Sequence, residues 1–274
     1  MVNDTAKPFG AYALKEHQGR LLRWAQQMPL GWLGRRAALI LRKAVLRRGP
    51  AIVDASVDGL KLRLYTRDNV SERKFLFMPQ FFDPFERGLL KKNLRPGDVF
   101  VDIGANAGIY SLTAAAAVGD AGKVIAIEPN PAVLDRLKFN AALNNFDKRI
   151  IFEQSGVSSA EGNFDLTLDD SNLGGSSLVA ERSSLKISVR CYKLLSIVQK
   201  YQLQKIAALK IDIEGAEDKA LIPFFSEAPK LLYPRLLILE NSPSDWQEDL
   251  PGALKAAGYR LLQTTRMNQV WELF

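Results

Sequence analysis

The chain has 274 residues, 47% of them apolar and 24% charged, with a formal net charge of +7. That is apolar material for one large core, which argues against a disordered chain. The sequence has no internal repeat of the kind a solenoid needs, and its one cysteine, Cys191, excludes an internal disulfide framework. The opening residues lack the basic and apolar runs of a secretory leader, and no apolar stretch reaches the roughly 20 residues that span a bilayer, so a cytoplasmic protein is expected.

The positive charge is local. Residues 1–50 carry ten Lys or Arg against Asp4 and Glu16, a net +8, while the other 224 residues come to −1. A nucleic-acid enzyme more often lines its groove with basic side chains, so nucleic acid is not the expected partner. Residues 14–48 read as one or two helices broken near Met28–Gly31. In the second, Ala37, Ile40, Leu41, Ala44 and Val45 follow a helical period, with Arg35, Arg36, Arg42, Lys43 and Arg47 mainly opposite. Two readings stay open. Residues 35–48 lie on an anionic membrane, at its inner face, or the helix docks on the body with a solvated basic side.

Alternation over residues 51–67 around Asp58-Gly59 predicts a hairpin with a type I′ turn, Leu60, Leu62 and Leu64 sharing one face. A short helix over 85–95 leads to the turn Arg95-Pro96-Gly97. Strands at Val99–Ile103, Lys123–Ile127 and Ile150–Glu153 then alternate with helices at Ile109–Val118 and Pro131–Asn144. Apolar runs at Leu209–Ile213 and Leu236–Leu239 read as buried parallel strands, and Tyr259–Gln263 with Gln269–Leu273 as an antiparallel edge pair. The class is α/β: a doubly wound, mostly parallel sheet in residues 51–274 behind a basic helical segment, 1–50. Residues 154–205 form an insertion with a polar loop at 169–177, a strand near Leu185–Cys191 and a helix near Leu194–Tyr201. A connection this long is expected to shape a binding site.

The first strand runs into Gly104-Ala-Asn-Ala-Gly108 ahead of a helix, a turn whose glycines let a ligand approach the backbone. A dinucleotide loop needs G-x-G-x-x-G, whereas Asn106 stands at the second glycine's place and the next glycine is 108 rather than 109. S-adenosyl-L-methionine has no pyrophosphate and demands no such approach, so it is favoured over NAD. Asp102, ending the strand, is placed to meet an ammonium group, and Glu128, ending the next, to accept from a ribose diol. Gly104, Asn106, Gly108 and Gln154, just after the third strand, complete the candidate cofactor set.

Asp212, Glu214 and Glu217 crowd a further strand end. Asp212 is the candidate general base, or a metal ligand if a metal is bound, with Glu214 and Glu217 orienting substrate or clustering at a helix N-terminus. Lys210 is expected to point away unless it pairs with a neighbouring acid, and Glu240 is a further candidate on the same rim. The only histidine, His17, lies outside every motif, so a base drawn from the core has to be acidic. No metal site is assigned.

Taken in order, Val101-Asp-Ile-Gly-Ala-Asn-Ala-Gly-Ile-Tyr-Ser111, Glu128-Pro-Asn-Pro131, Asn172-Leu-Gly-Gly-Ser-Ser177 and Lys210-Ile-Asp-Ile-Glu-Gly-Ala-Glu217 make residues 83–274 resemble the FkbM family of methyltransferases. The resemblance implies the class I methyltransferase (Rossmann-like) fold, S-adenosyl-L-methionine as donor and O-methylation. It implies acceptor hydroxyls on sugars of glycans or glycolipids, or on polyketide natural products. Two alternatives compete: an NAD-dependent oxidoreductase, which the glycine spacing opposes, and a non-catalytic membrane-associated binding protein of the same fold, which the intact acids oppose.

Overall fold

The computed structural model describes residues 4–47, 49–167, 172–175 and 186–274. Helices α1 (Glu16–Gln26) and α2 (Trp32–Leu46) pack against each other through the link 27–31. The apolar face expected for α2 is rotated. It buries Gly34, Ala38 and Val45, with Leu41 half-buried, while Ile40 and Ala44 face outward. Small residues win the inner face because the chain comes very close there: a Cβ on Gly34 would lie 1.9 Å from the Pro29 carbonyl oxygen. Of the basic stretch 35–48, Arg48 falls outside the described residues.

Strands β1 (Ile52–Val57) and β2 (Leu60–Tyr65) pair antiparallel about Asp58 and Gly59, whose φ angles of 51° and 83° are those of a type I′ turn. Leu60, Leu62 and Leu64 are buried as expected. So is Arg63, whose guanidinium donates to both Asp54 carboxylate oxygens (2.8 and 2.9 Å) and to the carbonyls of Lys7 and Pro8 (2.9 and 2.8 Å). The rings of Tyr12 and Phe139 cover it. The stretch around Lys7 and Pro8 is thereby clamped to the body.

Helix α3 (Val70–Phe77) was not expected from the sequence, because its apolar residues Phe75, Leu76 and Phe77 are consecutive rather than periodic. Asn69 caps it, accepting from the Glu72 amide at 3.0 Å. Arg136 reaches back from the body to pair with Asp68 (2.7 Å) and buried Glu72 (2.9 Å). Helix α4 (Pro84–Asn93) follows.

The central sheet contains β3 (Val99–Ile103), β4 (Lys123–Ile127), β5 (Ile150–Glu153), β9 (Ala208–Ile211), β10 (Leu236–Glu240), β11 (Tyr259–Thr264) and β12 (Asn268–Leu273). Its order is β11-β12-β10-β9-β3-β4-β5, parallel except for β12, which opposes both β10 and β11. This is the class I methyltransferase layout, with the expected antiparallel edge. Phe100, Val124 and Ala126 face α4, α5 (Ile109–Val118), α6 (Pro131–Leu143) and the N-terminal helices, whose Leu22, Ala25, Ala38 and Val45 join the same apolar cluster. Val101, Ile125, Leu209 and Leu237 face α7 (Leu194–Lys200), α8 (Glu217–Glu227) and α9 (Leu250–Ala256). The strand order reverses between β3 and β9, which opens a crevice at their carboxyl ends.

Between β5 and α7, the strands β6 (Gly156–Val157), β7 (Gly162–Thr167) and β8 (Lys186–Tyr192) form a small separate sheet. Most of the 169–177 loop lies outside the described residues. Residues 172–175 are tied to the start of α3: the Leu173 amide donates to the Asp68 carbonyl (2.7 Å), and the Val70 amide to Asn172 Oδ1 (3.0 Å). Among the described residues, no helix is long and apolar enough to cross a membrane.

Candidate active site

A cavity of about 310 Å³ lies at the β3/β9 crevice, within the size range of small-molecule sites. Its floor is the turn after β3. Gly104 has φ +71°, and a Cβ there would stand 1.9 Å from the Asp212 carbonyl oxygen, so only glycine lets the turns after β3 and β9 touch. The Asp212 amide completes the contact by donating to the Ile103 carbonyl (3.1 Å). Asn106, at φ 51°, donates its amide to Glu128 Oε2 (2.9 Å), and its side-chain oxygen accepts from Asn69 Nδ2 (2.7 Å). Three cavity residues, Asp83, Asn106 and Glu214, hold left-handed backbone that costs a non-glycine residue of the order of 1 kcal/mol each. Such strain persists where the surroundings over-determine it.

Glu128, at the end of β4, takes a second backbone donor, the Asn130 amide, at 2.9 Å. Burial nevertheless outweighs both bonds and pushes its carboxyl up to about 7. Burial, with Asp212 next in importance, raises Glu214 to about 7 and Glu240 to about 8. Lys210 enters the cavity, taking the acid-paired alternative of the two that the sequence left open. Its ammonium lies 3.2 Å from Asp212 Oδ2, 3.9 Å from Asp102 Oδ1, and donates to the Gly104 carbonyl at 3.0 Å. Burial works against its charge, but Asp212 and Asp102 together prevail and raise its pKa. Asp212 is 42% exposed at the side chain, with its carboxylate held from one side by Lys210.

Of the residues singled out from sequence, Gly104, Asn106, Glu128, Asp212, Glu214 and Glu240 line the cavity. Four others do not. Asp102 is fully buried on the α5 side of β3, bonded to Ser111 Oγ at 2.6 Å, because it shares the Phe100 face of the strand. Gly108 starts α5, where a Cβ would meet Leu137 Cδ1 at 2.0 Å, so its role is helix packing. Gln154 is exposed, and its neighbour Ser155 faces the cavity with a buried hydroxyl that has no partner among the described residues. Glu217 is fully buried at the start of α8, accepting from the Ile213 amide (2.9 Å) and Trp246 Nε1 (2.8 Å), so it braces the loop after Asp212.

Another part of the lining was not foreseen. Lys74 from α3, Asp83, Tyr110 and Asn268 belong to it, with the Tyr110 hydroxyl donating to Asp83 Oδ2 (3.2 Å) and Lys74 3.8 Å from Asp83 Oδ1. Burial raises the Asp83 carboxyl. These residues come from separate stretches, and only Tyr110 sits inside a motif, so no local signal marked them.

The cavity suits the methyl donor that the turn suggested. The lining includes the Ser155 hydroxyl, unpartnered among the described residues, the apolar Ile103, Ile127, Val157 and Leu166, which suit an aromatic base, and the Glu128 carboxylate. Five carboxyl groups (Asp83, Glu128, Asp212, Glu214, Glu240) against Lys74 and Lys210 suit a cationic ligand.

Comparison with known proteins agrees. A family model described as the methyltransferase FkbM domain matches residues 102–261. Methyltransferase sdnD of Sordaria araneosa is 28% identical over 210 residues, covering 65% of this chain and 79% of that protein. Among solved structures, an S-adenosylmethionine-dependent O-methyltransferase from Thermotoga maritima is 13% identical, with TM-score 0.45 over 84% of this chain and 80% of that one. A methyltransferase FkbM from Methylobacillus flagellatus is 16% identical, with TM-score 0.42 over 76% of this chain and 55% of that one. The chain belongs to the FkbM family of S-adenosylmethionine-dependent methyltransferases.

Proposed function

We propose that the chain transfers a methyl group from S-adenosylmethionine to a hydroxyl, on a sugar of a glycan or glycolipid or on a natural product, with Asp212 as general base. The observation that carries this reading is the half-exposed Asp212 carboxylate, fixed by Lys210 at 3.2 Å and packed against the Gly104 turn. When bound, the cofactor supplies an electrophilic methyl on a sulfonium. The protein's task is then to hold an acceptor oxygen in line and remove its proton. Asp212 takes that proton, and Lys210 keeps the carboxylate aimed. Asp83, Tyr110 and Asn268 carry the polar groups that recognise neighbouring hydroxyls. No histidine lines the cavity, so the proton acceptor is a carboxylate.

In this reading Glu128 accepts from the ribose hydroxyls, Asn106 shapes the turn and Ser155 meets the adenine ring. Gln154 and Gly108 have no direct part. Among the described residues, Lys74 and Lys210 are the only basic side chains in the lining, too few for the basic groove that tracks a phosphate backbone, which disfavours a nucleic-acid acceptor. Membership of a methyltransferase family sets aside the NAD-dependent reading. Incubation with methyl-labelled cofactor and a panel of hydroxylated glycans, glycolipids and RNA tests the proposal. An O-methyl ether on a hydroxylated acceptor supports it; label found only on nitrogen or on RNA would overturn it.

The Glu128 assignment has its own test. Loss of charge-assisted hydrogen bonds costs about 1.5–3 kcal/mol, so Glu128→Gln should weaken cofactor binding by roughly 10- to 100-fold in calorimetry. The carboxylate form accepts both ribose hydroxyls. Because this carboxyl titrates at about 7, affinity in the unaltered chain should fall as pH drops below 7 and level off above it. An affinity flat between pH 5.5 and 8, beyond the roughly one-unit scatter of protein pKa values, would remove Glu128 from the ribose site.

A further inference from the structure

The hairpin α1–α2 carries a surface that the rest of the fold leaves uncovered. Leu30, Trp32 and Leu33 crowd its tip at 71%, 67% and 75% exposure, with Trp24 at 55% and Ile40 at 69% nearby. Large apolar side chains at that exposure, three within four residues, are unusual on a soluble surface. Along α2, Leu33, Arg36, Ile40, Lys43 and Arg47 succeed one another at spacings of three and four, so one helical face mixes apolar and basic groups. It lies nearly opposite the buried face of Gly34, Ala38 and Val45.

The charge on this element is of one sign. From His17 to Val53 there is no Asp or Glu, and the same stretch holds eight Lys or Arg. Among the described residues, Arg23, Arg35, Arg36, Lys43 and Arg47 are exposed and have no carboxylate partner. The Arg36 guanidinium instead sits 4.9 Å from the Trp32 ring centroid, so a cation and an amphipathic aromatic are presented together.

We propose that this hairpin docks the protein on an anionic lipid bilayer, with Leu30, Trp32 and Leu33 entering the interface and the arginines meeting the headgroups. Charge complementarity and amphipathic tryptophans at the edge of an apolar tip both favour that occupant. A nucleic acid would satisfy the arginines but leave the apolar tip in water. A second copy of the chain would place like charges against each other. The inference is independent of the methyl-transfer reading, since it concerns a surface remote in sequence from every cavity residue.

The test is sedimentation of the full chain with vesicles of phosphatidylcholine alone and with phosphatidylglycerol added. The unaltered protein should pellet with the anionic vesicles, at least about tenfold more weakly with the neutral ones, and less as salt rises. Tryptophan emission should move to the blue on binding, because Trp24 and Trp32 are exposed while Trp271 is already buried. The triple exchange Leu30→Ser, Trp32→Ser, Leu33→Ser should weaken pelleting about tenfold or more with Tm unchanged, since these side chains make no core. Arg35→Glu with Arg36→Glu should do the same for anionic vesicles only. An unaltered protein that stays in the supernatant, or a triple variant that pellets equally, would overturn the proposal. So would size-exclusion showing a dimer that the triple exchange dissolves, or RNA displacing the protein from vesicles without loss in the triple variant.

Discussion

Exchange of Asp212 for Asn is expected to lower kcat by about 10²- to 10⁴-fold, while the Kd for S-adenosylmethionine stays within about threefold of the unaltered value. The asymmetry follows from how the residue is held. Its backbone is locked, with the amide on the Ile103 carbonyl and the carbonyl against Gly104, and neither contact involves the carboxylate. Asparagine has the same shape and keeps an oxygen for Lys210, so the turn under the cofactor should not move. What is lost is the capacity to take a proton. Stopped-flow single turnovers and calorimetry separate the two quantities. Turnover within tenfold of the unaltered enzyme would mean that the acceptor loses its proton to water or needs no base.

Replacing Lys210 by Met should destabilise the protein by about 3–5 kcal/mol at pH 8, one of the larger single-residue effects available in this fold. The register of the sheet explains why. Asp102 on β3 stands directly beside Lys210 on β9, on the face packed by α5, and Asp102 is fully shielded from water. Burial already raises the Asp102 carboxyl, and Lys210 is the first influence opposing it. Without the ammonium, the folded-state pKa of Asp102 rises further. A raised carboxyl loses stability as pH climbs above its unfolded value, so the penalty should be small near pH 4 and grow toward pH 8. The companion exchange Asp102→Asn should restore much of the loss. Denaturant titrations at pH 5 and pH 8 read this directly, and a pH-independent penalty would show that lost packing, not the buried charge, is responsible.

The pair also shows where reading the sequence stops. The strands were legible because short runs such as Val99–Ile103 and Leu236–Leu239 are apolar on both faces, and the glycine turn because its conformational demand is local. Which strand neighbours which is not local, and so the sequence left two orientations for Lys210, pointing away or paired with a neighbouring acid; the pairing with Asp212 and Asp102 is the one found. Two-residue alternation decided Asp102 and Gln154 as well: one residue along from each, Ile103 and Ser155 meet the cavity. Glu128, Asp212 and Glu214 stand at strand ends, where an open α/β sheet gathers its ligands whatever the register. The lining by Lys74, Asp83 and Asn268 needed the tertiary structure, since two stretches far apart in the chain supply it. In α2 the periodicity was visible but its phase was not, because the closest contact selected glycine and alanine over the bulkier residues.

The sharing of one apolar cluster by Leu22, Ala25, Ala38 and Val45 with Phe100 and Leu112 bears on how the molecule comes apart. The N-terminal helices own no separate core, and Gln26 and Gln80 stitch them to α3 and its following turn through the Leu76 and Ala25 carbonyls at 2.7 and 2.9 Å. Such an arrangement melts as one cooperative unit, giving a single calorimetric transition rather than an early loss of the hairpin. Anything that binds the hairpin alone then raises the melting temperature of the whole protein, the β3/β9 crevice included.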